Sequence, residues 1–167
     1  MQESFDDLFD LTTHVDAICI PTNGIVKKSG EAVMGAGVAK LCAVKWPQTQ
    51  YILGEFLTEG KNLPYQLGMV NKLGEFWTKL TVEDKNSHIC RVFSFPTKHH
   101  FKDNSDLELI KRSCQQMVIF ATALKMDFIA LPRVGAGLGG LSWENEVRPA
   151  ISKILDDRFH IVTPKGN

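Results

Sequence analysis

Two glycine-rich turns, far apart in the chain, constrain its fold more than any other feature. The first, in T-N-G-I-V-K-K-S-G-E-A-V-M-G-A-G-V-A-K, follows the apolar, β-branched run 17–20, and the second, in L-P-R-V-G-A-G-L-G-G-L-S-W, follows 128–131. Each leads into a segment with helical periodicity, so the chain spells strand, glycine loop, helix twice over. Backbone N–H groups at a helix N-terminus lack intrahelical partners, and the helix dipole favours negative charge there. Two such loops on one sheet edge read as a clamp for a diphosphate. A single glycine loop would say little, because glycine is common in βα turns. Gly135, Gly137, Gly139 and Gly140, however, crowd into six consecutive residues, where a tight turn needs only about one or two at positive φ. The surplus implies close approach by a ligand. Neither loop is followed by Gly-Lys-Ser/Thr, so neither is a P-loop. Gly35-Ala36-Gly37 lacks the third glycine of a dinucleotide fingerprint and lies well past its strand. ATP hydrolysis and hydride transfer fall in rank accordingly.

Between and beyond the loops, elements alternate as a layered α/β domain requires. Residues 16–21 read as a buried strand and 38–46 as a short helix ended by Pro47. Residues 51–65 stay undecided between helix and strand, with Pro64 marking a turn. Strands are expected at 67–73 and 88–95, joined by the polar connection 81–87. The clearest helix is 105–125: Ser105 can cap it, Glu108 completes a capping box, and Leu107, Ile110, Cys114, Met117, Val118, Ala121 and Leu124 recur at three and four. A strand at 128–131, a helix at 147–155 with Pro149 in its first turns, and a closing strand at 160–163 complete the pattern. Ligands in such sheets sit outside the carboxyl ends of the strands, where both glycine loops fall.

At 167 residues the chain is expected to form one domain that buries roughly 70% of its unfolded surface, enough for a core without staples. The 19 basic residues balance the 19 acidic ones, which argues against a protein whose main business is coating nucleic acid or membrane but leaves room for a local basic site. Cys19, Cys42, Cys90 and Cys114 show no C-x-x-C pairing and most lie in apolar runs, so a reducing compartment and no zinc site are expected. The acidic N-terminus does not read as a signal or transit peptide, and the longest apolar run, 118–124, is too short to span a bilayer. A cytoplasmic protein, monomeric and without membrane contact, is the expectation.

A third motif sits at a strand end, Phe93-Ser94-Phe95-Pro96-Thr97-Lys98-His99-His100-Phe101. Proline stops the ladder and places Lys98 in the loop at the ligand edge. By itself the stretch Lys98, His99, His100, Lys102 reads as a solvated polar loop. Beside a phosphate-binding crevice, a lysine can instead neutralise charge or, if partly desolvated, lose its proton and act as nucleophile or base. Metal binding by His99 and His100 is not expected, because sequential side chains diverge and no third ligand has matching spacing.

With these motifs in place, the chain resembles a macro domain, the ADP-ribose-binding fold, and is most similar to the branch that contains terminal ADP-ribose protein glycohydrolase and the DarG antitoxin. The resemblance is carried by Asp16-Ala17-Ile18 through Thr22-Asn23, Met34-Gly35-Ala36-Gly37-Val38-Ala39, Phe95-Pro96-Thr97-Lys98, and Leu131-Pro132 through Gly135-Ala136-Gly137-Leu138-Gly139-Gly140-Leu141-Ser142-Trp143. It implies an α/β fold, a three-layer α/β/α sandwich with a central mixed sheet, formed by residues 1–167 as a single macro domain. It also implies roles. Asp7 matches the aspartate that accepts the adenine amino group; Asn23 matches the position near the distal ribose. Gly35, Ala36, Gly37 and Val38 match the loop around that ribose and a phosphate. Thr97 precedes Lys98, which matches the catalytic lysine, and Gly135, Ala136, Gly137, Leu138, Gly139 and Gly140 match the diphosphate loop. The human glycohydrolase has an acidic residue where this chain has Gly139, whereas DarG has glycine, so that loop offers no acid to pair with Lys98. The activity implied is removal of mono-ADP-ribose from DNA or protein at the anomeric carbon of the distal ribose, without cofactor or metal. Lys27, Lys28, Lys40, Lys45, Lys98 and Lys102 are expected around the mouth, compatible with a DNA contact. A non-catalytic reader of ADP-ribose and an ADP-ribose 1″-phosphate phosphatase stay open as alternatives.

Overall fold

The computed structural model describes residues 1–80 and 87–166. Its centre is a seven-stranded mixed sheet: β1 (Gln2–Phe5), β2 (Ala17–Thr22), β3 (Gln66–Asn71), β4 (Phe76–Trp77), β5 (Ile89–Pro96), β6 (Ile129–Pro132) and β7 (Phe159–Thr163), in the order β1-β7-β6-β2-β5-β3-β4. The neighbours from β1 to β5 run parallel, while β3 lies antiparallel to β5 and β4 to β3. Buried parallel strands read as continuous apolar runs, which is why β2, β5 and β6 were legible as such.

The pleat sends alternate residues into two separate cores. Ala17, Cys19, Phe93, Phe95, Ile129, Leu131, Phe159 and Ile161 face one of them, filled by Ile110, Cys114, Met117 and Ala121 of helix α3 (Leu107–Ala123) and by Ile151 of α4 (Arg148–Ile151). Ile18, Ile20, Val92, Ala130 and Val162 face the other, filled by Cys42 and Ala43 of α1 (Gly37–Lys45) and Leu53 of α2 (Gln48–Glu59). The result is the three-layer α/β/α sandwich with a mixed central sheet.

Several local expectations need correction. Residues 51–65 divide into the C-terminal part of α2 and a loop. Gly54 sits mid-helix because a side chain there would collide with the Gly30 carbonyl of the first glycine loop, and α2 further braces that loop when Ala32 N–H donates to Gln50 O at 2.8 Å. Helix α3 is capped by Asp106, whose Oδ1 accepts from Glu108 N at 2.9 Å and Leu109 N at 3.3 Å; Ser105, the expected cap, is buried one residue earlier. Leu124, expected on the buried face, follows the helix and is partly exposed. Ahead of α4 stands a π-helical turn, Trp143–Val147, which Ser142 caps through Asn145 N at 3.2 Å, so the expected helix 147–155 shrinks to one turn. The connection 81–87 lies, apart from Ser87, outside the described residues.

Candidate functional site

Three neighbouring parallel strands, β6, β2 and β5, end at the same edge of the sheet, with Thr22 in register with Pro96. The loops that leave them enclose a cleft of about 610 Å³, within the range of pockets that hold a small ligand. It is lined by Asn23, Gly35, Ala36, Gly37, Val38, Thr97, Lys98, Gly135, Ala136, Leu138 and Gly139 among the residues singled out from sequence. Gly137 and Gly140 are outside that lining, exposed and at positive φ in the turn that shapes the second loop. Asp7 is exposed and also outside it, its Oδ1 accepting from Phe9 N at 2.8 Å.

The first loop is held open by its own side chains. Asn23 Nδ2 donates to Val33 O at 2.9 Å and its Oδ1 accepts from Ile25 N at 3.0 Å, clamping both stems. Each of these atoms keeps one further hydrogen-bonding position. The loop delivers the chain to α1 through Gly37, at φ +55°, a left-handed conformation that a β-carbon would strain. Ala36 precedes it in an extended conformation with no side-chain cap. The first N–H groups of α1 are therefore left for a ligand at the wall where Gly35 to Ala39 line the cleft.

The second loop, residues 133–142, closes on itself through Leu141 N to Gly135 O at 3.0 Å around a single 3₁₀ turn, Gly137–Gly139. It does not run straight into a helix as expected. The Leu138 side chain reaches across the cleft, its Cδ1 only 3.7 Å from where a β-carbon on Gly37 would stand. The two glycine loops thus face one another at close range.

The third wall brings the cation. Thr97 N donates to Thr22 O at 3.0 Å, Asp106 N donates to Thr97 O at 2.9 Å, and Asn62 Nδ2 donates to Lys98 O at 2.9 Å, fixing the backbone on both sides of Lys98. The Lys98 Nζ crosses to Leu138 O at 3.1 Å and so reaches the second glycine loop. His99 locks the same segment. Its carbonyl accepts from Gly24 N at 3.1 Å, and its Nε2 lies 2.9 Å from Asp106 Oδ2. That contact, with the two helix amides, holds the Asp106 carboxyl below the usual carboxylate range against a smaller opposing effect of burial. Among the lysines expected at the mouth, Lys98 lines this cleft, whereas Lys27 and Lys40 line a smaller recess of about 250 Å³ beside it.

Among the cleft residues not singled out as ligand contacts from sequence are Phe101, Ser105 and Arg133. Phe101 closes the F-P-T-K-H-H-F run, and that position after a strand end was its available signal. Ser105 fills the space beside Gly139, donates its N–H to Gly139 O at 2.8 Å, and keeps its Oγ without a hydrogen-bond partner. Arg133 lies over the Trp143 ring at 5.4 Å and near Glu3 Oε2 at 3.7 Å.

An α/β/α domain with two glycine loops and one lysine converging on a cleft at parallel strand ends offers the backbone donors and the cation that a phosphorylated ligand requires. The Macro domain family model matches residues 53–150, more than half the chain, and the protein belongs to that family. By sequence it is 38% identical over 65 residues to a DNA ADP-ribosyl glycohydrolase of Thermus aquaticus, a stretch covering 39% of this chain and 18% of that protein. In structure it is similar to the macrodomain of Thermus aquaticus DarG, with a TM-score of 0.69 and 25% identity over 96% of this chain and 95% of that one. It is also similar to Thermosipho africanus DarTG in complex with ADP-ribose, with a TM-score of 0.73 at 22% identity, covering 100% of this chain and 43% of that one. The aligned stretches span less than a third of the curated relatives it matches.

Proposed function

We propose that the cleft binds ADP-ribose and that the protein releases mono-ADP-ribose from a modified DNA base. The glycine loops would hold the diphosphate on the free amides of α1 and the second loop, and the remaining hydrogen-bonding positions of Asn23 would orient the distal ribose. The bond from the ribose anomeric carbon to the acceptor breaks; water supplies the new hydroxyl and leaves its proton on the acceptor. The observation that carries this reading is the course of Lys98 Nζ across the cleft to Leu138 O. A cation that reaches the second glycine loop across the same cleft supports a role at the scissile bond, where an ammonium would stabilise the departing group or, once deprotonated, the amine would attack the anomeric carbon. DNA is favoured over an acidic protein side chain because the curated relative of Thermus aquaticus is a DNA ADP-ribosyl glycohydrolase.

The purified protein, offered ADP-ribosylated DNA, an ADP-ribosylated acidic protein and ADP-ribose 1″-phosphate, is expected to release ADP-ribose from the first. An interaction used chiefly in the transition state raises turnover without raising ground-state affinity. Lys98→Ala should therefore abolish release and keep ADP-ribose affinity within about tenfold, or 1.4 kcal/mol. Lys98→Arg keeps the charge but cannot become a neutral amine at ordinary pH, so an active arginine variant would leave only the electrostatic role. Full activity of Lys98→Ala would remove this residue from the mechanism, and binding without turnover on any substrate would make the domain a reader.

A further inference from the structure

Phe101 has no role in holding ADP-ribose in the reading above, yet its placement is specific. It lines the cleft on the same loop as Lys98 and is still 42% exposed. The His100 ring is stacked on it with centroids 4.4 Å apart, and Lys102 Nζ stands 5.9 Å from its centroid. The loop that presents it is rigidly turned, because Lys102 N donates to His100 Nδ1 at 3.1 Å and Asp103 N donates to His100 O at 3.1 Å. A large aromatic ring that lines a site yet is left half in water, with a second ring and a lysine against it, is the form of a stacking platform for a base on a phosphate backbone.

We propose that Phe101 stacks on the base that carries the ADP-ribose, and that through this contact the cleft selects single-stranded DNA over a protein acceptor. The inference rests on the reading of Lys98 as the residue at the scissile bond: the group attached to the ribose would then lie beside the loop that presents both Lys98 and Phe101 to the cleft. An esterified carboxylate offers no flat face to stack. A nucleobase does, and any of the four would, because each has a π-face. Lys102 and His100 would meet the flanking phosphates. The strand must be single, because a base held in a duplex stack cannot reach such a platform without being extruded.

The test measures a ratio of affinities by calorimetry in the Lys98→Ala background, where turnover does not interfere: an ADP-ribosylated single-stranded oligonucleotide against free ADP-ribose, and an ADP-ribosylated acidic peptide against the same reference. The oligonucleotide is expected to bind about tenfold or more tighter than ADP-ribose, within the range that a base–aromatic stack provides. Phe101→Ala should collapse that ratio towards one, Phe101→Trp should retain it, and the peptide ratio should not respond. ADP-ribose binding by each variant reports that the fold is intact. An unchanged oligonucleotide ratio in Phe101→Ala would overturn the proposal, as would an equal loss for the peptide or the absence of any preference in the parent. A protein with Lys98 intact that releases ADP-ribose from no substrate would overturn the hydrolase reading alone, because the affinity ratio is read without turnover.

Discussion

Gly139 and Ser105 share one space. Gly139 has ordinary backbone angles, so no conformational demand requires glycine there. A β-carbon would nonetheless collide with Ser105 Oγ and stand 3.2 Å from Ser105 Cβ. Rotating the hydroxyl relieves only the first of these contacts. Gly139→Ala is therefore expected to destabilise the domain by about 1–3 kcal/mol, the usual cost of overpacking a filled site. Ser105→Gly in the same molecule should return much of it, and the pair should couple by roughly 0.5–3 kcal/mol in a double-mutant cycle read from denaturant unfolding. Simple additivity of the two substitutions would show that the serine does not hold the glycine in place. The same contact gives a physical account of how this loop carries glycine at the position where an acidic residue would need room. None of it was visible in the sequence, because residues 105 and 139 become neighbours only when α3 and the second loop pack at one strand end.

At the scale of elements, the start of α3 does two jobs. Asp106 caps the helix through its Oδ1 and, through Oδ2 on His99, ties the cap to the segment that carries Lys98. Asp106→Ala should cost about 1 kcal/mol, the typical worth of an N-cap, and Asp106→Asn should recover most of the cap while removing the charge. The pH dependence follows from the direction of the shift. The folded-state carboxyl is held low, so its contribution is fully present above the unfolded-state value of about 4 and is lost as pH falls through the folded-state value. The exposed pair is screened by water and salt, so the effect is small. Wild type should exceed Asp106→Asn in stability at pH 6 and lose that lead on acidification towards pH 2.5; a constant gap in thermal unfolding across that range would deny the carboxylate this role. The sequence marked the cap one residue early because Ser105 and Asp106 are both good caps. The choice fell to tertiary packing, since Ser105 is drawn under Gly139.

At the scale of the whole molecule, the cysteines report how the two cores are divided. Cys19 and Cys114 belong to one and Cys42 and Cys90 to the other, all fully buried. Burial pushes the Cys42 thiol up to about 11 and those of Cys90 and Cys114 to about 12, and raises Cys19 as well. The thiolate is the reactive form, so the native protein should not react with a thiol reagent at pH 8, and all four cysteines should become reactive together with unfolding in denaturant. Rapid labelling of any one of them in the folded protein would show that its core opens locally. No helix among the described residues is long and apolar enough to cross a membrane. What the sequence determined by itself was the layered α/β architecture, the five strands β2, β3, β5, β6 and β7 to within a residue or two, and the two glycine loops with Lys98 between them. Those signals are local: apolar runs, glycine clusters and a proline at a strand end each act on their own few residues. Tertiary structure alone decided the rest. Strand β1 has every residue exposed and exists through its pairing with β7. Helix α2 tolerates Gly54 because a loop carbonyl lies against it, and the helix expected at 147–155 is cut to Arg148–Ile151 behind the Trp143–Val147 turn. Likewise, only the register of β6, β2 and β5 brings Lys98, Leu138 and Phe101 to one cleft. Such outcomes depend on contacts between residues tens of positions apart, whose energies no local pattern encodes.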